Sequence, residues 1–139
     1  MSEELSRYEL ALAKEQVTLH RKRPGHVESD LQIRCVKWFS YQYQYLRPLL
    51  FAVPNGGRRD AKTGAILKRE GVQAGVSDMI LLCPNKQYHA LCIEMKTHEG
   101  SQSKLQKEWQ EAVEEQGYKY AVCRSLDSFI KEVNEYLDN

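Results

Sequence analysis

One stretch, residues 75–96 (GVSDMILLCPNKQYHALCIEMK), constrains the fold more than any other part of the sequence. Within it, two mostly apolar runs at 78–83 and 88–96 flank a proline, an asparagine and a lysine at 84–86, which are typical turn residues. The pattern predicts two strands joined by a short turn. We expect this pair of strands to lie at the centre of a β-sheet.

Three ionisable residues, Asp78, Glu94 and Lys96, interrupt these apolar runs. Because successive side chains of a strand alternate between its two faces, Glu94 and Lys96 point the same way, and Ile93 and Met95 point the opposite way. Two carboxylates on adjacent strands, with a lysine on the same side, can hold a divalent cation and position a water molecule. Asp78, Glu94 and Lys96 are therefore the starting candidates for a functional site.

The rest of the chain alternates between helical and extended patterns. Apolar residues at helical spacing predict further helices, and short apolar runs predict further strands. The helices are expected at about 28–45, from Asp60 or Thr63 to 69, from Ser101 or Ser103 to 117, and at 126–137, and the strands at 49–53 and 118–123. With the central pair, the order is α, β, α, β, β, α, β, α, which predicts one α/β domain at 28–139, a mixed sheet flanked by helices.

Capping residues mark several helix ends. Ser29, with Gln32 three residues later, has the form of a capping box for the first helix. Ser101 or Ser103 is expected to begin the third helix, and Gly117 to end it.

Two polar residues outside the central strands could reach the candidate site. Glu28 projects onto the apolar stripe of the first helix, so it either reaches a metal site or is an exposed acid that complements the helix dipole. The residues alone leave both possibilities open. Gln106 lies at the edge of the core stripe of the third helix, where it could point back towards the carboxylates.

A glycine-rich turn leads into a basic segment. Asn55, Gly56 and Gly57 form a tight turn whose backbone can approach a ligand closely, and Arg58 and Arg59 are suited to phosphate oxygens. The alternative is a plain hairpin turn with solvated arginines. The basic patch continues in the following helix at Lys62, Lys68 and Arg69.

Composition and charge narrow the class of protein. The chain is 42% hydrophobic and 28% charged, as in ordinary globular proteins, and its net charge of +1 gives no general argument for nucleic acid. Residues 1–96 carry 15 Lys/Arg against 10 Asp/Glu and residues 97–139 carry 5 against 9, which would suit a basic side that faces a polyanion.

The sequence shows no pattern of a signal peptide or a membrane span, because its N-terminal residues are polar and it has no long apolar run. Four singly placed cysteines predict buried thiols in a reducing compartment, so we expect a cytoplasmic protein.

The spacing of Asp78 from the Glu94-Met95-Lys96 tripeptide resembles the motif of the PD-(D/E)xK nuclease superfamily. A fuller set of residues, in order from about Glu28 to Arg124, resembles the VRR-NUC (virus-type replication-repair nuclease) family. The set consists of Glu28 before Leu31 and Gln32, 54–57 with Arg59, 75–78, 93–96, and Ser103 through Gln106 to Trp109. Ser77 departs from the proline in the superfamily name, at a turn position that carries no chemistry.

This resemblance implies a restriction-endonuclease-like fold and hydrolysis of DNA phosphodiesters that depends on Mg²⁺ or Mn²⁺. It implies that Asp78 and Glu94 bind the metal, with the backbone carbonyl of Met95 as a third ligand and Glu28 acting through water or at a second cation. Lys96 would stabilise the nucleophilic hydroxide as an electrostatic partner. Gln106 would position Lys96 or the water, and the DNA backbone would be held by Arg58 and Arg59.

For members of the family that stand alone, as we expect here, the resemblance implies homodimers that act on branched DNA such as four-way (Holliday) junctions, in a bacterial or phage-infected cell. A monomeric flap or repair nuclease, a non-catalytic module that binds branched DNA, and a structural domain with a buried ion-pair cluster are the alternatives. Residues 1–27 form a separate extension with a helical pattern and a basic cluster. It is a solvated helix and linker, an arm that touches DNA, or a dimer contact.

Overall fold

The computed structural model describes residues 27–54 and 61–139. The helices and strands follow the predicted order. They are α1 (Val27–Gln42), a 3-10 helix (Gln44–Leu49), β1 (Leu50–Ala52), α2 (Ala61–Arg69), β2 (Met79–Leu81), β3 (Leu91–Met95), α3 (Lys104–Glu115), β4 (Lys119–Cys123) and α4 (Leu126–Asp138). None of the helices in these ranges has the length and apolar character needed to cross a membrane.

The four strands form one mixed sheet in the order β1-β2-β3-β4. β1 pairs with β2 and β2 with β3 in antiparallel fashion, whereas β3 and β4 are parallel, with α3 as the crossover between them. A parallel pair needs such a crossover because its second strand must start at the same end as the first. The predicted mixed sheet flanked by helices is confirmed.

The hydrophobic core lies between one face of the sheet and two helices. Ile93 and Met95 of β3 are fully buried there, with aromatic residues of α1 and α4 such as Phe39 and Phe129 packed in the same cluster. Burial of one such side chain stabilises the fold by about 1.5–3 kcal/mol. Because side chains alternate along β3, Glu94 faces away from this core, as the sequence pattern predicts.

The first helix differs from its prediction in its capping and at its C-terminal end. Val27, the first residue described before the gap at 55–60, is already helical, so Ser29 lies inside α1 and the predicted capping box is wrong. α1 ends at Gln42 and not near Tyr45, since Tyr43 leaves the helical region with φ −127° and ψ 58°. The Tyr43 hydroxyl donates a 2.6 Å hydrogen bond to Asn134 Oδ1 of α4, and this contact accompanies the turn into the 3-10 helix.

The two central strands are shorter than predicted because the connection between them has its own structure. Asn85 Oδ1 accepts hydrogen bonds from the backbone N–H groups of Gln87 and Tyr88, and its Nδ2 donates to the carbonyl of Tyr136 in α4. These contacts make a loop tied to α4 where the sequence predicts the outer ends of the two strands.

The cysteines are free thiols, as expected from their isolated positions. Cys35, Cys92 and Cys123 are buried and Cys83 is partly exposed. Burial raises the pKa of Cys92 to about 11 and that of Cys123 to about 12. At neutral pH these two thiols stay protonated and therefore unreactive.

Candidate active site

The two acidic residues of the central strands face each other. β2 and β3 pair with Met79 opposite Ile93, so one further step in the same register places Asp78 opposite Glu94. Opposed side chains in an antiparallel pair have Cβ atoms about 4.5–5.5 Å apart. Asp78 is fixed in this position because its Oδ2 accepts a 2.6 Å hydrogen bond from the backbone N–H of Met95.

Glu94 is almost completely removed from solvent, with 1% of its surface exposed. An ionised carboxylate at such a position is costly unless protein groups replace its hydration. Gln106 Nε2 donates to Oε1 of Glu94 at 2.9 Å, and the Tyr120 hydroxyl donates to Oε2, also at 2.9 Å. Both oxygens of the carboxylate are therefore held by neutral donors.

Four ionisable residues meet at this site, namely Glu28, Asp78, Glu94 and Lys96. Burial, and next the charge of Asp78, raises the pKa of Glu94 to about 8. The same two causes raise the pKa of Glu28, which is also close to Lys96 and to the backbone of Thr97. The Lys96 ammonium lowers both pKa values and thus lies near both acids. Of the two possibilities for Glu28, the structure favours the one in which it reaches the site.

The raised pKa values of Glu28 and Glu94 make this cluster a candidate functional site. A favourable ion pair lowers the pKa of a carboxylate. Burial and a neighbouring carboxylate raise it. Groups perturbed in this second way are typical of catalytic and cation-binding centres. Glu28 and Glu94 belong to this second class.

Gln106 reaches Glu94 because it also closes the first turn of α3. Ser103 is the N-cap residue, one of the two predicted starts of the helix, and its Oγ accepts from the backbone N–H of Gln106. Gln106 Oε1 accepts from the backbone N–H of Ser103 at 2.8 Å, which leaves the amide NH₂ to face the site. Gln106 thus points back towards the carboxylates, as the sequence analysis expected, and its amide contacts Glu94. An NH₂ group cannot accept from an ammonium, so this amide group does not position Lys96.

Two residues of this site, Tyr120 and Gln102, are absent from the sequence-based prediction. Tyr120 lies on β4, and the parallel register puts it opposite Cys92, on the same face of the sheet as Glu94. Gln102 Nε2 donates to the Tyr120 hydroxyl at 3.3 Å. Burial, and next the charge of Glu94, raises the pKa of Tyr120, which keeps its hydroxyl a donor. The signal for Tyr120 is the alternation of β4, which is useful only once the strand order is known.

The predicted basic residues fall into two groups. Asn55, Gly56, Gly57, Arg58 and Arg59 lie outside the described residues. The other three, all on α2, are exposed. They are Lys62, Lys68 and Arg69.

Replacement of Glu94 by glutamine tests its raised pKa through protein stability. In a chelator, the wild-type protein should lose stability as the pH rises from 4.5 to about 8, because over this range the folded state keeps a proton that the unfolded chain has released. Glu94→Gln stays neutral, so its thermal midpoint should exceed that of the wild type by more at pH 8 than at pH 5. Glu108→Gln, an exposed acid of α3, is the control and should keep the wild-type slope. Equal slopes in wild type and Glu94→Gln would contradict the assignment.

Gly75 allows the segment before Asp78 to pack against the start of α3. Its φ is +85°, and a Cβ at this position would lie 2.5 Å from the carbonyl oxygen of Leu105. Gly75→Ala should therefore lower the free energy of unfolding by about 1–3 kcal/mol through overpacking, in addition to backbone strain. Gly71→Ala is the matched control, with φ +103° and no atom within 4 Å of the added Cβ. In denaturant unfolding, equal losses for the two variants would show that the contact with α3 has no energetic weight.

Comparison with known proteins places this geometry in a family. The model of the VRR-NUC domain matches residues 26–127. A solved "VRR_NUC domain protein" is similar over 80% of this chain and 88% of that chain, with a TM-score of 0.71 and 27% sequence identity. A search of curated proteins found no match. Since the matched residues make up most of the sequence and the folds agree, the chain belongs to the VRR-NUC family of nuclease domains.

Proposed function

We propose that this protein is a Mg²⁺- or Mn²⁺-dependent deoxyribonuclease that hydrolyses phosphodiester bonds in branched DNA such as four-way junctions. The observation that carries the proposal is the buried Glu94 opposite Asp78, with Glu28 and Lys96 beside them. A divalent cation relieves the repulsion between such carboxylates, and hard oxygen ligands suit Mg²⁺ and Mn²⁺. Membership of a nuclease family supports the same class of reaction.

Asp78 and Glu94 would bind the cation directly, with the backbone carbonyl of Met95 as a third ligand. Within 27–54 and 61–139, no three His, Cys, Asp or Glu side chains are grouped so that they could hold a metal ion by themselves. Glu28 would act through water or at a second cation. A cation bound there would supply Lewis-acid polarisation of the phosphate and a more acidic water molecule.

Lys96 would act on the transition state. Its ammonium has three donors and no acceptor, which suits the oxygens of a scissile phosphate and of an attacking hydroxide. We therefore assign it an electrostatic role and not that of a general base. Gln106 would restrain Glu94 through the amide contact, so that the carboxylate keeps one orientation while DNA binds.

The DNA backbone would be held by two basic segments. The first is the segment with Asn55, Gly56, Gly57, Arg58 and Arg59. The second is α2, which buries none of its residues and presents its basic side chains to solvent. Contacts of this kind bind phosphates without reading the base sequence, as an enzyme that selects DNA by its structure requires.

The protein would be a homodimer. A homodimer would carry two active sites, the number needed to cut two strands of a symmetric junction. Residues 1–27 would form an extension outside the nuclease domain, and the protein would work in the cytoplasm.

Cleavage of labelled DNA tests the proposed function. Purified protein is incubated with Mg²⁺ or Mn²⁺ and, in parallel, a four-way junction, a 5′ flap, a single strand and a linear duplex. We expect symmetric paired cuts in the junction alone, and none in a chelator. Cuts in flaps would show that the protein is a nuclease but would contradict the junction-resolving role. Tight junction binding without cuts under either metal would instead indicate a non-catalytic binding module.

A further inference from the structure

Tyr120 contacts the candidate site from the neighbouring strand. Its side chain is mostly buried, with 9% of the residue exposed, and its hydroxyl donates a 2.9 Å hydrogen bond to Oε2 of Glu94. The tyrosine ring meets Trp109 of α3 edge-on, with ring centroids 6.0 Å apart. Strand pairing and this aromatic contact therefore determine where the hydroxyl lies.

The direction of the Tyr120 hydrogen bond is set by Gln102. Gln102 Nε2 donates to the tyrosine hydroxyl at 3.3 Å and to Gln110 Oε1 at 2.9 Å, and Gln110 in turn donates to Glu114. An amide NH₂ cannot accept a hydrogen bond. The tyrosine oxygen is thus the acceptor from Gln102, and its single hydrogen is directed to Glu94.

We propose that Tyr120, oriented by Gln102, is a positioning residue that holds the carboxylate of Glu94 ready to bind a divalent cation. This inference rests on the proposed metal-dependent function. Each oxygen of an ionised carboxylate can accept about two hydrogen bonds or ligands. Tyr120 and Gln106 occupy one site on each oxygen, and the sites that remain can serve a cation shared with Asp78.

Removal of the Tyr120 hydroxyl should weaken cation binding without disturbing the fold. Tyr120→Phe keeps the ring, its burial and its contact with Trp109. Groups that orient a metal ligand typically contribute about 10–100-fold to metal affinity, so we expect a loss of this size for Mn²⁺ alone, measured by titration calorimetry without DNA. Because Tyr120 contacts no ligand other than Glu94 in this scheme, the cleavage rate at saturating Mn²⁺ should return to within a few-fold of the wild type.

Tyr136→Phe is a matched control for the loss of one buried hydroxyl. Tyr136 is 1% exposed, and its hydroxyl donates to the carbonyl of Cys83, a contact that includes none of the site residues. We expect this variant to bind Mn²⁺ as the wild type does. Gln102→Met, which removes the donor but keeps the length of the side chain, should lower Mn²⁺ affinity in the same direction as Tyr120→Phe.

The outcomes separate this inference from the proposed function. Unchanged Mn²⁺ affinity in folded Tyr120→Phe would overturn the positioning role and leave the metal-dependent nuclease intact. If Tyr120→Phe does not fold, unchanged affinity in Gln102→Met would overturn it equally. If the wild-type protein binds no Mn²⁺, both the metal-dependent nuclease and the positioning role of Tyr120 are refuted. Weaker binding in Tyr120→Phe and Gln102→Met, with normal binding in Tyr136→Phe, would support the role.

Discussion

Replacing Lys96 with methionine should lower the rate of DNA cleavage by about 10²–10³-fold, the usual cost of removing one preorganised donor to a transition state. Methionine keeps an unbranched apolar chain but removes the ammonium that lies beside Glu28 and Glu94. Loss of a positive charge next to two acids cannot weaken their attraction for a cation. Mn²⁺ should therefore bind Lys96→Met at least as tightly as it binds the wild type.

Single-turnover cleavage, measured together with DNA binding and Mn²⁺ binding, checks this result. Lys131→Met is the control, because Lys131 is exposed on α4, which packs on the other face of the sheet, and pairs only loosely with Glu135 at 4.0 Å. Unchanged cleavage in Lys96→Met would exclude Lys96 from the transition state. Loss of DNA binding with an unchanged rate on bound DNA would make it a binding residue.

Asp78→Asn should abolish Mn²⁺ binding and lower cleavage by at least about 10³-fold, because it removes a direct carboxylate ligand. Asparagine is the informative replacement, since its side-chain oxygen can still accept from the backbone N–H of Met95. Alanine would leave that N–H, which belongs to a fully buried residue, without its partner at a cost of about 1–3 kcal/mol. A loss of activity in Asp78→Ala would therefore mix two causes.

Thermal unfolding in a chelator distinguishes a cation site from a structural ion-pair cluster in the same variant. In a cation site, Asp78→Asn removes a negative charge that repels Glu94, so the metal-free protein should be at least as stable as the wild type, above all at pH 8 and higher, where Glu94 is ionised. In an ion-pair cluster, the same change would remove one of the negative charges that offset Lys96 and would destabilise the fold. Titration calorimetry with Mn²⁺ completes the comparison, and wild-type affinity in Asp78→Asn would refute its role as a ligand.

The placement of Asp78, Glu94 and Lys96 could be predicted because it depends on local rules. Alternation along a strand is strictly periodic, and a short turn brings adjacent strands together, so two runs of sequence suffice to predict a shared face. The approach of Gln106 also follows from local chemistry. At Ser103, a serine followed three residues later by a glutamine marks the start of a helix and the direction of the glutamine side chain, whereas the same spacing at Ser29 and Gln32 does not.

The role of Tyr120 could not be predicted, because it depends on a pairing between distant strands. Nothing in residues 118–123 indicates that β4 lies parallel to β3 and not at another position in the sheet. The C-terminal end of α1 is also beyond the local pattern, since Tyr43 forms its hydrogen bond with Asn134, which lies far along the chain on α4. Both cases are tertiary contacts that override or complete what short segments specify.

The Gln106 side chain both caps α3 and contacts Glu94, so opening of this helix end on heating should affect the candidate site. Helix ends open more readily than helix centres, and the first turn of α3 is such an end. When this turn frays, Glu94 loses one of the two donors that restrain it, although the sheet and the core remain folded. The fraction of molecules in which both donors hold the Glu94 carboxylate thus depends on the opening equilibrium of the first turn of α3. On warming, that fraction declines before the average helical content of the protein does.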